Sequence, residues 1–273
     1  MKRVFVSGGF DDIRSRQVRF LEEASRFGEL HALVWTDEAV RELEGKPPKF
    51  SLAERVYLLQ AIRYISNVKV WKPPVEKDAL SYPVGIKPDV WVVDEAGDND
   101  RKRFYCASFG IDYQVIKDAD LKVRPNKRAD ALVGLSSRKK VIVTGCFDWL
   151  HSGHVRFFEE VSQLGDLYVA VGHDQNLKLL KGASHPLYSQ DERLYMVQAI
   201  RYVRQALITS GHGWMDAEPE IERLKPDIYA VNEDGDVPEK RAFCTKHGIE
   251  YVVLKRAPKE GLPRRESRVL RGF

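Results

Sequence analysis

Short apolar, β-branched runs alternate with amphipathic stretches along the chain, and they do so twice in the same order. In the second half, Lys140 to Thr144 forms a short strand-like run, followed by a turn and an amphipathic stretch over 153–164. Its apolar positions Val155, Phe157, Phe158, Val161 and Leu164 have helical spacing. The run 166–172 predicts a second strand, and 189–202 a helix that Ser189 opens, with Glu192 three residues later as its capping-box partner. Further strands are expected at 206–209, 227–231 and 251–254, with a helix over 239–247. The first half follows suit, with strands at 4–7, 30–35, 68–71, 90–93 and 113–116. Near-continuous apolar strands separated by helices predict α/β units, each a parallel sheet with helices on both faces.

The repetition is also literal. Arg19, Phe20 and Glu22 return as Arg156, Phe157 and Glu159, an offset of 137 (156 − 19). Gln60-Ala61-Ile62-Arg63-Tyr64 and Lys87-Pro88-Asp89 return as Gln198-Ala199-Ile200-Arg201-Tyr202 and Lys225-Pro226-Asp227, an offset of 138 (198 − 60). One residue is therefore gained in a loop between these stretches. A period this long describes two domain-sized units rather than a solenoid. The polar, basic segment 125–140 separates them, which gives domains 1–136 and 137–273 with the boundary near 136–139. Tandem units of this kind are expected to pack as the two subunits of a homodimer would, an internal pseudo-dimer that could pair again.

Composition narrows the class without naming it. The chain is 43% hydrophobic and 31% charged, with a net charge of +4. It has no apolar run near the roughly 18 residues that a membrane helix needs. A cytoplasmic protein with an anionic small ligand is expected, with no nucleic acid and no membrane span. Of the three cysteines, Cys106 and Cys244 occupy equivalent positions and predict buried structural thiols. The tryptophans Trp35, Trp71, Trp91, Trp149 and Trp214 are read as core or interface residues.

The chemistry is concentrated in one copy. Gly145-Cys146-Phe147-Asp148-Trp149-Leu150-His151-Ser152-Gly153-His154 follows the first strand of the second half. A glycine-bearing turn before a helix lets backbone amides approach an anion, and the helix N-terminus favours negative charge. His151 and His154 lie three apart, so both can face one ligand and donate to phosphate oxygens. Lys181, before Gly182 on a loop, adds a mobile cation, and Lys178 is a neighbour of similar reach. Phosphoryl or nucleotidyl transfer asks mainly for positioning and charge neutralisation, so no nucleophilic side chain is required. Read alone, the two histidines would serve as helix caps, Asp148 would bond its own turn, and Lys181 would be a solvated charge. A zinc site with His173 or His185 as third ligand lacks the usual ligand spacing.

The combination of this motif, a Lys-Gly pair and Glu192-Arg193-x-x-Met196-Val197-Gln198-Ala199-Ile200-Arg201-Tyr202-Val203 resembles the cytidylyltransferase family, particularly its branches acting on ethanolamine phosphate and glycerol phosphate. The resemblance implies a Rossmann-like nucleotidyltransferase fold. It also implies attack of a substrate phosphate on the α-phosphate of CTP, releasing pyrophosphate, with Mg²⁺ carried on the nucleotide phosphates. By that resemblance His151, His154 and Lys181 are the catalytic residues. Gly145, Cys146, Phe147, Asp148, Gly153, Asp174, Lys178 and Arg193 would surround the phosphates, and Asn232, Glu233 and Asp234 the base and ribose. Where the family has a hydroxyl-rich phosphate segment, this chain has Gly261-Leu262-Pro263-Arg264-Arg265-Glu266-Ser267-Arg268. Ser267 and Arg268 are its remaining candidates for phosphate contact, and the change implies substitution by arginines, lowered activity or a different substrate.

In the first unit Arg14 stands at the position of His151, Gln17 at that of His154, and Glu44 at that of Lys181. A glutamate there would repel a triphosphate, so domain 1–136 is expected not to catalyse. The expected function is thus a CTP-dependent nucleotidyltransferase with one active site, acting on a small phosphorylated alcohol or polyol. Alternatives are an ATP-dependent adenylyltransferase, for example on a flavin or sugar phosphate, and a non-catalytic nucleotide sensor.

Overall fold

The computed structural model describes residues 1–71, 76–80, 86–123 and 136–270. The chain divides into two compact units, Met1–Val123 and Arg124–Phe273. The first is built from β1 (Arg3–Gly8), α1 (Ser15–Ser25), β2 (Glu29–Trp35), α2 (Asp37–Glu44), α3 (Leu52–Ala61), β3 (Asn67–Trp71), β4 (Val90–Asp94), α4 (Asp100–Phe109) and β5 (Asp112–Ile116). The second repeats the plan through β6 (Lys140–Gly145), α5 (Ser152–Val161), β7 (Asp166–Val171), α6 (Asp174–Lys181), α7 (Gln190–Gln198) and β8 (Val203–Ile208). It continues with α8 (Glu218–Leu224), β9 (Ile228–Asn232), α9 (Pro238–His247), β10 (Glu250–Leu254) and α10 (Ser267–Leu270).

Each unit holds a five-stranded sheet, ordered β3-β2-β1-β4-β5 and β10-β9-β6-β7-β8, with every neighbour parallel. Burial on both faces explains the strand composition: β7 is buried at every position, and Val4, Val6, Val141 and Val143 are wholly inaccessible. One face of the first sheet packs Phe5, Leu33, Trp35 and Trp91 with Cys106 of α4. The second sheet does the same with Ile142, Tyr168, Tyr229 and Val231 against Cys244 of α9. Both thiols are free and buried as expected, and burial pushes each up to about 11. Trp35, Trp71, Trp91 and Trp149 are buried, whereas Trp214 lies outside the core at 54% exposed.

Two elements depart from the predicted plan. Lys181 is not on a loop but ends α6, whose polar sequence Asp-Gln-Asn-Leu-Lys-Leu-Leu-Lys hides the helix. That helix forms because the His173 side chain accepts from the Asn176 amide at 3.2 Å and caps it. The predicted plan has no element over 211–219, where the structure has a 3₁₀ turn at Gly213–Met215 and the start of α8. The Ser189 capping box is present, each partner accepting from the other's backbone amide at 3.4 Å. Among the described residues no helix is long and apolar enough to cross a membrane.

A buried arginine organises each unit. Arg193, 1% exposed, donates to the carbonyls of Cys146 (2.7 Å), Gly172 (2.7 Å) and Tyr188 (3.0 Å), and to Asp174 Oδ1 at 2.7 Å. Arg55, also 1% exposed, does the same to Gly9, Trp35, Phe50 and Asp37. The loop before this helix is pinned in parallel fashion. Asp148 Oδ1 accepts from Leu187 N (2.7 Å) and Tyr188 N (3.1 Å), while Asp11 accepts from Lys49 N (2.7 Å) and Phe50 N (3.0 Å). The expected phosphate role of Arg193 is therefore corrected. Its three guanidinium nitrogens are engaged by the chain itself, and the copy without the histidines keeps the same clamp.

Removing one such arginine leaves several buried carbonyls and a carboxylate without a donor. Arg55→Met and Arg193→Met should each destabilise the unit that carries it by about 3 kcal/mol in denaturant unfolding. A loss below about 1 kcal/mol at both sites would contradict the architectural role.

Candidate active site

The cleft of the second unit opens where the strand order reverses, between β6 and β9, the position at which open parallel sheets present ligands. It measures about 410 Å³ and is walled by Thr144 and Gly145 ending β6, by Val231 and Asn232 ending β9, and by His154 and Lys181. Such a volume suits a nucleotide-sized molecule, since small-molecule sites run from roughly 300 to 1,000 Å³.

The turn after β6 sets the floor. Phe147 takes φ +50°, and a Cβ on Gly145 would lie 2.7 Å from its ring, so only glycine fits there. Phe147 packs on Phe158 and meets His154 edge-on, with centroids 5.4 Å apart. Both histidines are then fixed relative to α5. His151 is the N-cap: its Nδ1 accepts from Gly153 N at 3.1 Å, so the proton of the neutral ring sits on Nε2. His154 stacks on it at 4.0 Å. The cap thus fixes which nitrogen of His151 carries the hydrogen. His151 Nε2 and His154 Nδ1 are buried polar atoms with no hydrogen-bond partner among the described residues.

Electrostatics keep both rings uncharged. Burial, then His154, Arg256 and Arg265, hold His151 far below the usual imidazole range. His154 is lowered to about 4, first by burial, then by Arg256 and against the pull of Asp234, with Lys181 lowering it further. At neutral pH the site therefore offers neutral imidazole donors, and cations come from elsewhere. Lys181 is exposed and lines the cleft, without an ion pair among the described residues. Arg256 pairs with Asp234 and donates from Nη2 to the Arg265 carbonyl at 3.2 Å.

The other expected residues sort clearly. Cys146, Phe147, Asp148, Asn232, Asp234 and Ser267 line the cleft. The Ser267 hydroxyl also donates to the Trp149 carbonyl at 3.4 Å. Gly153 lines an adjoining recess shared with Asn232, Arg256, Arg264 and Arg265. Glu233 turns away and accepts from Arg256 N at 3.3 Å. Asp174 is taken by Arg193, and neither it nor Lys178 lines the cleft. The side chain of Arg268 lies outside the described residues. Sequence reasoning missed His185 and Lys240 as lining residues and Arg256 as the partner of Asp234. Both His173 nitrogens are engaged, by Asn176 N and by the Gly211 carbonyl at 2.8 Å, so His173 is not available as the third zinc ligand. Among the described residues no group of three His, Cys, Asp or Glu side chains is placed to hold a metal.

A twice-wound parallel sheet with this motif at its switch point defines the nucleotidyltransferase class. The model of the family described as Cytidylyltransferase-like matches residues 142–258. An FAD synthase of Ferroglobus placidus is 36% identical over 125 residues, 45% of this chain and 78% of that protein. An FAD synthase of Pyrococcus horikoshii is 39% identical over 127 residues, 45% of this chain and 83% of that protein. The bifunctional protein HldE of Campylobacter concisus is 30% identical over 130 residues, 47% of this chain but 26% of that protein. The chain belongs to the cytidylyltransferase-like family of nucleotidyltransferases, and it is an enzyme of that class.

The depressed histidine has a sign that can be checked. Its unfolded counterpart takes up a proton as pH falls through about 6.5, whereas folded His154 waits until about 4. The stability linked to its neutral form is complete above the unfolded value and is lost as pH falls from there toward the folded one. Nitrogen-15 NMR at neutral pH should show neutral imidazoles for both histidines; an imidazolium at either position in the free protein would contradict this electrostatic picture.

Proposed function

We propose that the second unit transfers a nucleotidyl group from a nucleoside triphosphate to a phosphate monoester, and that ATP with an FMN-like acceptor is the leading substrate pair. A phosphate oxygen of the acceptor attacks the α-phosphorus, the bond to the bridging oxygen of the β-phosphate breaks, and pyrophosphate leaves with that electron pair. No proton has to move, so the protein's task is placement and charge neutralisation. The supporting observation is the pair of buried nitrogens, His151 Nε2 and His154 Nδ1, that lack partners among the described residues and sit at the N-terminus of α5. Neutral donors there stabilise charge that grows on the phosphate oxygens during transfer. Lys181 supplies the mobile cation, Asn232 and Asp234 border the nucleoside end, and Mg²⁺ enters on the nucleotide phosphates as part of the substrate.

ATP is preferred because the FAD synthases, which by name make the flavin adenine dinucleotide, match most of their own length at 36% and 39% identity. A second reading keeps CTP and a small phosphorylated polyol, favoured by the family model and by the tandem arrangement of units.

We also propose that the first unit does not catalyse. Arg16 stands where Gly153 leaves the helix start open (153 − 16 = 137). Its guanidinium bridges Asp94 at 2.9 Å and Asp118 at 2.5 Å, the counterparts of Asn232 and Arg256 (138 in both cases, 232 − 94 and 256 − 118). A cation and two carboxylates thus replace the open recess and its arginine, while Glu44 places Oε1 against Gly9, 2.8 Å from where its Cβ would be.

His154→Ala should reduce pyrophosphate release by at least about 100-fold, in line with the loss of a preorganised donor, while Arg14→Ala leaves it within about twofold. Equal loss from both would sink the one-site reading. Turnover with ATP and CTP across FMN, glycerol 3-phosphate, phosphoethanolamine and a sugar 1-phosphate separates the two substrate pairs. ATP with FMN should exceed every other combination, and a preference for CTP with a polyol phosphate would transfer the assignment to the second reading.

A further inference from the structure

Four large apolar side chains of the second unit are exposed between α6 and α8. They are Leu179 and Leu180 of α6, Leu187 of the loop that follows, and Trp214 of the 3₁₀ turn, at 70%, 52%, 51% and 54% exposure. Lys181, the next residue of α6, lines the cleft, so the two helical leucines border it. Scattered exposed apolar residues are ordinary, but a group of them beside a ligand cleft marks a contact surface. The first unit serves as an internal control. Leu179, Leu187 and Trp214 stand where it has Glu42 (179 − 137), Lys49 (187 − 138) and Glu76 (214 − 138). Only Leu180 keeps an apolar counterpart, Leu43 (180 − 137). The copy that lost both histidines and the lysine thus carries charge at three of these four positions.

The turn that carries Trp214 is tied firmly to α6. Asn176, 1% exposed, donates from Nδ2 to the Gly213 carbonyl at 3.0 Å, and its Oδ1 accepts from Gly213 N at 2.8 Å. His173 Nε2 bonds the Gly211 carbonyl at 2.8 Å. The Thr209 hydroxyl accepts from His173 N at 3.0 Å and donates to Asp216 Oδ2 at 2.8 Å, while the Asp216 carbonyl accepts from Gly211 N at 2.9 Å. The first unit has Thr36, Ala39 and Trp71 in place of His173, Asn176 and Thr209 (offsets 137, 137 and 138), so this frame belongs to the second unit. Its effect is to hold a tryptophan in solvent on a fixed backbone. Leu179 and Leu180 follow Asn176 by three and four residues, so they continue the side of the helix to which the turn is tied.

We propose that Leu179, Leu180 and Trp214 form a shelf for a flat, apolar ring carried by the acceptor, whose phosphate reaches past the shelf to Lys181. The proposal rests on the nucleotidyltransferase reading of the site. An indole on a tied turn offers a rigid stacking face, and two leucines beside it add apolar area, so a fused aromatic ring gains from contact that a small polyol cannot make. Lys181 sets the reach. It lies five residues beyond Asn176, about 7.5 Å along the helix axis, so ring and phosphate must be joined by a short chain, as they are in FMN. The nucleotide leaves the shelf free, since on the same reading its phosphates lie at the N-terminus of α5 and its nucleoside at Asn232 and Asp234. The shelf therefore selects among phosphate monoesters by what they carry at the end away from the phosphate.

Calorimetric titration of the intact chain with FMN and with glycerol 3-phosphate tests this without turnover. The wild type should bind FMN at least about tenfold more tightly than glycerol 3-phosphate. Trp214→Ala, and separately the double change Leu179→Gln with Leu180→Gln, should each weaken FMN about tenfold and leave glycerol 3-phosphate within about twofold. Trp214→Phe, which keeps an aromatic face, should stay within about threefold of the wild type for FMN. A wild type without preference for FMN overturns the proposal, as does a variant that loses both ligands equally or neither. Sedimentation of the same variants covers the rival occupant: weakened self-association with unchanged FMN affinity assigns the shelf to a second copy of the chain and overturns the proposal. Pyrophosphate release judges the reaction separately. Release with a polyol phosphate and no effect of the shelf variants on binding leaves nucleotidyl transfer standing and removes the shelf, whereas no release with any substrate pair counts against the reaction while the FMN comparison still decides on the shelf.

Discussion

The site exists because a guanidinium is buried beneath it. Arg193 gathers the turn after β6, the end of β7, the start of α6 and the loop before α7. None of these backbone carbonyls has a neighbouring strand to satisfy it, since the strands end there, and a buried carbonyl without a donor is costly. The arginine answers that need from one point and so fixes the relative positions of the segments carrying Cys146, Asp148, Lys181 and His185. Burial of the charge is tolerated because Asp174 and three carbonyls surround it, acceptors for four of the five N–H groups of a planar fork.

On that frame the chemistry divides by charge state. The α5 N-terminus supplies donors that are neutral, because burial and nearby arginines disfavour the imidazolium. Mobile positive charge comes from Lys181 at the other side of the motif. A neutral donor takes up growing charge without having to shed a tight counter-ion, whereas a cation at the same place would hold the ground-state triphosphate strongly as well. The floor of the site is apolar, with Phe147 against Phe158 and His154. That floor keeps the rings dry enough for their hydrogen bonds to count.

Much of this was legible from residues alone. The strands of both units, the capping box at Ser189 and the buried pair Cys106 and Cys244 follow from period, cap chemistry and repeat position. The cytidylyltransferase-like family was legible as well, from the spacing of its motifs. Helix α6 was not, because its start is capped by a histidine rather than by a short hydroxyl or acid, and its exposed Leu179 and Leu180 break the amphipathic pattern. Arg193 was misread as a phosphate ligand because the sequence shows a charge beside a motif but not the carbonyls it faces. The duplicate held the needed signal: Arg55 occurs in a unit that lost both histidines, so an arginine kept in both copies had to answer a structural demand. The same comparison would have drawn attention to His185 and Arg256, whose counterparts are Pro47 and Asp118.

The Arg16 bridge in the first unit has a consequence for how the two halves can diverge. In the second unit the helix start presents two buried imidazole nitrogens with no hydrogen-bond partner among the described residues. In the first, one side chain closes the same gap with carboxylates that belong to the chain. That copy has internalised its counter-ion. Under the one-site proposal, such a unit needs no metabolite to quiet the charge at the sheet's end, and its surface is released from the demands of substrate entry.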